Sequence, residues 1–182
     1  MISRSEYLLL LLLALVACRK PQIIEEPNEE PSPTEIVGEG TIASPYSVSD
    51  ARLVKVADDV WIQGYIVGAV SGSIGAGCVW SVPTFISANI LLADDTIAND
   101  SHRVLPVQLT TNKKIRSRLN LEDNPELLHK AIIVRGRLNT YYSVPGIRDI
   151  TAYRLAGGEE MIGDITADDE WSGVIYLPQV TQ

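Results

Sequence analysis

TNKKIRSRLNLEDNPELLHK (111–130) breaks the period of everything around it. Ile115 and Leu119 fall four apart, on one face of a helix, while Lys113, Lys114, Arg116 and Arg118 occupy the other sides. Asn124-Pro125-Glu126 marks the start of a second helical turn, with asparagine as cap and proline at the first helical position. On the C-terminal side, AIIVRGRLN (131–139) is β-branched and extended. A loop TYYSVPGI (140–147) follows, then a further strand RDITAYRLA (148–156). On the N-terminal side, HRVLPVQL (102–109) and SANILLADD (87–95) read as hairpin partners, and Pro106 predicts an edge position or a bulge. Upstream, VWIQGYIVGAV (60–70) alternates β-branched and aromatic residues, interrupted by Gly64 and Gly68 where a barrel strand must coil. A Gly/Ser-rich loop, SGSIGAGCVWSVPTF (71–85), joins it to the next strand.

Three strands, a helix and two more strands is the order of the OB-fold, a five-stranded Greek-key barrel with its helix between strands three and four. The expected fold class is therefore mainly β, an OB-fold-like barrel of residues 40–155. A β-sandwich and a different small barrel are the alternatives. The acidic C-terminal extension, 156–182, holds one plausible strand, Gly173 to Leu177, which would add to the barrel or cover an open end.

Charge is distributed unevenly. The net charge of −8 comes from the flanks: six acids and no bases in 21–40, and six acids and no bases in 156–182. Residues 41–155 carry 12 Lys+Arg and 10 Asp+Glu, a net of +2, far from the basic footprint of a dedicated nucleic-acid binder. Residues 18–39 hold a cysteine followed by a run with four prolines and six glutamates, which predicts an extended tether.

Residues 1–17 have the layout of a signal peptide. Arg4 supplies positive charge, and the apolar run Leu8 to Val16 is shorter than the roughly 20 residues a permanent span needs. Leu15-Val16-Ala17-Cys18 resembles the lipobox of bacterial lipoproteins, with Cys18 as the lipidated residue and the membrane as its partner. Arg19 stands where an inner-membrane retention signal would have aspartate, so the outer membrane is the expected location. Lipidation leaves Cys78 as the one remaining thiol, so no internal disulfide is expected.

The chain resembles a group of secreted and lipid-anchored proteins common in gut Bacteroidales, whose function is undetermined. The resemblance runs over roughly residues 38–155. It lies in Gly40-Thr41 and Ser44 to Val48 leading into a short helix, then VWIQGYIVG (60–68), NILLADD (89–95) and VLPVQL (104–109). It continues through LNLEDNPELLHKAIIVRGRL (119–138) and YYSVPGIRDI (141–150). It implies an OB-like barrel. Members are often labelled nucleic-acid-binding lipoproteins, a label that rests on fold.

OB-folds bind oligonucleotides and oligosaccharides on the face of strands two and three, flanked by the loops between strands 1–2 and 4–5. Those loops correspond to 71–85, with Trp80 and Phe85, and 139–147, with Tyr141 and Tyr142. The four aromatics form either a stacking platform or plugs over the barrel ends. Arg135 and Arg137, two apart on strand four, share a face and suit a phosphate backbone or a solvated surface. The expected partners are single-stranded nucleic acid, or else a glycan or envelope protein. No catalysis, cofactor or metal is expected. His102 and His129 lack metal spacing, Asp94-Asp95 and Asp168-Asp169-Glu170 read as turn residues, and no nucleophile elbow or phosphate loop is present.

Overall fold

The computed structural model describes residues 35–156. Cys18, the 156–182 extension beyond its first residue, and the strand expected at Gly173 to Leu177 lie outside the described residues. The elements in chain order are α1 (Val48–Val54), β1 (Ala57–Val70), β2 (Cys78–Val79), β3 (Asn89–Ala93), β4 (Leu105–Gln108), α2 (Lys113–Leu119), a 3-10 turn (Pro125–Leu127), β5 (Ala131–Tyr141) and β6 (Val144–Leu155).

The strands pair in the order β2-β1-β3-β4-β6-β5, and β5 returns to β1, closing a barrel of five strands, β1, β3, β4, β6 and β5. All the barrel pairings are antiparallel except β4 with β6, which are parallel. This is the strand order and mixed polarity of the OB-fold. β1 is long, 14 residues, because it serves two partners: its first half pairs with β5 and its second with β3. Its register slips between Ile66 and Gly68. A Cβ on Gly68 would stand 2.3 Å from the Val79 carbonyl oxygen, so only glycine lets β2 approach there.

Alternation fills the barrel. Ile62, Ile66, Ile90, Leu92, Leu105, Val107, Ile132, Val134, Leu138, Ile147 and Tyr153 point inward and are fully or almost fully buried. From α2, Ile115 and Leu119 join this core, as their four-residue spacing requires. The helix is shorter than the expected 111–130, and its cap is Asn112, whose Oδ1 accepts from the N–H groups of Lys114 and Ile115. Asn124 does not cap: its amide donates back to the carbonyls of Ser117 and Asn120, and one 3-10 turn follows, starting at Pro125.

Pro106 is a second correction. It lies neither at an edge nor at a bulge but inside the sheet, opposite Leu91 in an unbroken ladder. Leu109 donates to the Ala88 carbonyl, and antiparallel bonds alternate, so Leu91–Pro106 is a pair that exchanges none. The position that would need an N–H faces β6, where β4 is paired at a single register point, Val107 with Ile147.

Helix α1 is pinned at its start. Ser47 and Asp50 form a capping box, and the Asp94 carboxylate accepts from the N–H groups of Val48 and Ser49 at 2.7 and 2.9 Å. Asp50 also accepts from Val37 and Gly38, fastening the entering chain to the helix. Burial pulls the Asp50 carboxyl upward, but these hydrogen bonds outweigh it and hold it below the ordinary value.

Candidate functional site

Two outer walls of the barrel carry the residues that sequence reasoning singled out. On the wall of β1 and β3, the outward residues are apolar: Val67, Val70, Leu91 and Ala93 join Ala98 and Val104 in a second buried cluster. Ile74, Cys78 and Trp80 of the loop 71–85 pack over it. The loop is held down by β2 pairing with Ala69 and Val70, and by the Cys78 thiol donating to the Ile74 carbonyl. Burial pushes that thiol's pKa up. Trp80 thus packs as a cover over the wall, half-buried against it. Phe85, 92% exposed, stands outside that cluster and outside the barrel core.

The segment expected as a loop, 140–147, is a tight hairpin instead. β5 runs to Tyr141 and β6 starts at Val144, with Tyr142 and Ser143 alone between them. Both turn residues adopt positive φ, 55° and 64°, the geometry of a two-residue turn that matches the strand twist. The turn is tied down by Asn89 at the start of β3. The Tyr141 hydroxyl donates to Asn89 Oδ1, and Asn89 Nδ2 donates to the Tyr142 hydroxyl at 2.8 Å and to the Val70 carbonyl at 3.1 Å. The two rings lie 4.6 Å apart and tilted. Burial and the neighbouring Tyr142 push Tyr141 up to about 12, so it stays a neutral donor.

Arg135 and Arg137 share the outward face of β5, alternating with buried Val134 and Leu138. Each meets a carboxylate. Arg135 donates through Nε and a terminal nitrogen to both oxygens of Asp59, at 2.8 and 2.6 Å, and lies 5.8 Å over the Trp61 ring. Arg137 pairs with Asp149. Arg148, Gln108 and Asn89 were not singled out from the sequence. Arg148 sits opposite Arg137, donates to the Gln108 side chain at 3.3 Å, and holds its guanidinium 5.8 Å from the Tyr141 ring centre. The signal that would have found Arg148 is turn length, since a two-residue turn at 142–143 places it on the same face as Arg137 and Tyr141.

The other polar candidates are structural. Asp95 accepts from the Ile97 N–H and pairs with Arg103 at 2.8 Å, and Arg116 is bound to Ser87. Lys113, Lys114, His102 and His129 are exposed. Among the described residues no three His, Cys, Asp or Glu side chains come together as a metal site, and no helix is long and apolar enough to cross a membrane.

A closed five-stranded barrel in OB order, with aromatic and guanidinium side chains on its outer wall, defines a small OB-fold-like domain. Residues 46–156 match the family described as Domain of unknown function (DUF6359), and the chain belongs to that family. It is also 36% identical over 95 residues to a protein called Endonuclease YhcR from Bacillus subtilis (strain 168). Those residues are 52% of this chain and 7% of that protein. Among solved structures, the hypothetical protein ygiW from E. coli is similar at 15% identity, with a TM-score of 0.35 over 62% of this chain and 90% of that one.

Proposed function

We propose that this chain is a lipid-anchored, non-catalytic binding module of the bacterial cell envelope whose ligand is single-stranded nucleic acid. One observation carries the ligand reading: Arg148 lies over the Tyr141 ring beside Tyr142, pairing a charge for phosphate with rings for bases. Base–aromatic stacking in single-strand binders is worth about 1–3 kcal/mol per base, and every base offers a face for it. The relative that is called an endonuclease supports the same reading, since a segment like this one stands within it. The anchor reading rests on Cys18 and the apolar run before it, and on the acidic stretch after it as a spacer. Outer membrane is favoured by Arg19.

The test is fluorescence anisotropy of labelled oligothymidine with the purified full chain in mild detergent. Binding that weakens steeply with rising salt is expected, through counterion release. Absence of binding at low salt would sink the nucleic-acid reading. The anchor is checked separately by labelling cells with radioactive palmitate: label on the wild-type chain should vanish in Cys18→Ala.

A second reading has its own support. Asp59 and Asp149 neutralise two of the wall's arginines, and the domain's near-neutral charge suits a glycan or an envelope protein. Binding of oligosaccharides that is indifferent to salt would favour it.

A further inference from the structure

We propose that the nucleic acid runs along the outer wall of the β5–β6 hairpin, on a stripe of Arg135, Arg137 and Arg148 that ends at Tyr141. This rests on the nucleic-acid reading and deepens it by naming where the strand lies. The face that OB-folds ordinarily offer to a ligand includes strand two, here β3. In this chain β3 is buried on both sides, inward in the barrel and outward beneath Ile74, Cys78 and Trp80. A ligand there would have to displace the loop and re-expose an apolar surface.

The hairpin wall is different. Register sets Ile133 opposite Arg154, Arg135 opposite Ala152, and Arg137 opposite Arg148. Residues directly opposite in an antiparallel pair point to the same face, and odd-numbered residues of β5 all point outward. Toward Arg154 the outward residues Trp61, Ile133 and Ala152 are buried with Ile42 packed against them, so the open stripe runs from Arg135 to Tyr141, about 20 Å at roughly 3.3 Å per residue. Arg137 and Asp149 have side chains 48% and 42% exposed, so their ion pair is the solvent-screened kind that a phosphate readily replaces. Asp59, 57% exposed, pairs with Arg135, whose own side chain is 21% exposed, so this pair is less open than the first. The carboxylates hold the guanidinium groups in position and compete with the ligand for them.

The experiment is a salt series of oligothymidine binding, about 12 nucleotides long to suit an OB-fold, on the full chain in detergent. Four proteins are compared: wild type, Arg137→Ala/Arg148→Ala, Lys113→Ala/Lys114→Ala, and Asp149→Asn. The arginine pair should bind at least about tenfold more weakly at low salt, with the slope of log K against log salt reduced by roughly 0.7 for each phosphate no longer neutralised. The lysine pair removes the same charge from α2 and should bind like wild type. Asp149→Asn should bind more tightly, by roughly fivefold, the scale of one unit charge a few ångström away in water. That gain cannot arise from misfolding, and asparagine tolerates the φ of 51° at this position. If wild type binds and the two double variants lose affinity equally, or the arginine pair loses none, the stripe is wrong while the nucleic-acid reading stands. If wild type binds only oligosaccharide or protein, the underlying reading fails instead.

Discussion

The wall of β1 and β3 and the wall of β5 and β6 belong to one barrel and share one core, yet the chain treats them in opposite ways. Along β3 every residue is buried, and the outward Leu91 and Ala93 are as apolar as the inward Ile90 and Leu92. A strand apolar on both faces must be covered on both, and residues 71–85 supply the cover. Along β5 the inward Val134 and Leu138 alternate with Arg135 and Arg137, which keep access to solvent, while the outward Ile133 is buried with Ile42 packed on it. Outward polarity on each strand decides which wall is filled by the chain itself and which is left to solvent or a ligand.

Leu91 is fully buried on the covered wall. Leu91→Ala should lower stability by about 2–5 kcal/mol in urea unfolding, the cost of emptying a packed site. A loss under about 1 kcal/mol would mean that the loop does not seal this wall. Trp80→Ala should cost about 2 kcal/mol, because its ring is only half covered. Arg148→Ala, on the open wall, should change stability by less than about 0.5 kcal/mol. If Arg148→Ala proved as destabilising as Trp80→Ala, the two walls would not differ as described.

A smaller effect sharpens the same contrast. Burial raises the pKa of the Cys78 thiol above its ordinary value, so less of the reactive thiolate is present at neutral pH. In the Cys18→Ala chain, Cys78 should react with Ellman's reagent several-fold more slowly than a free thiol at about pH 7. Its rate should keep rising as pH passes the ordinary thiol value, and Trp80→Ala should restore ordinary reactivity.

Much of this was legible in the sequence. The change of period at 111–130 placed α2 between the third and fourth barrel strands, and with it the OB order. The two-residue spacing of Arg135 and Arg137 gave their common face. The wall's composition was not legible, for physical reasons. Two-residue hairpin turns usually announce themselves by glycine or asparagine at positive φ, and here tyrosine and serine occupy those positions, held by Asn89 more than 50 residues away. With the turn read as an eight-residue loop, Arg148 had no register. Likewise, the pairing of Arg135 with Asp59 joins residues 76 apart, and nothing local signals it. The apolar Ile74, Cys78 and Trp80 sit in a stretch whose glycines and serines read as open loop, although they serve as a cover.

Ligand is expected to meet the open wall and to leave the covered wall shut. Amide and side-chain NMR shifts of the full chain in detergent, followed during titration with oligothymidine, test it most directly. The largest shifts are expected at Arg137, Arg148 and Tyr141, with Val67 and Leu91 unmoved. Shifts concentrated at residues 71–85, Val67 and Leu91, with Arg137 and Arg148 unchanged, would contradict it.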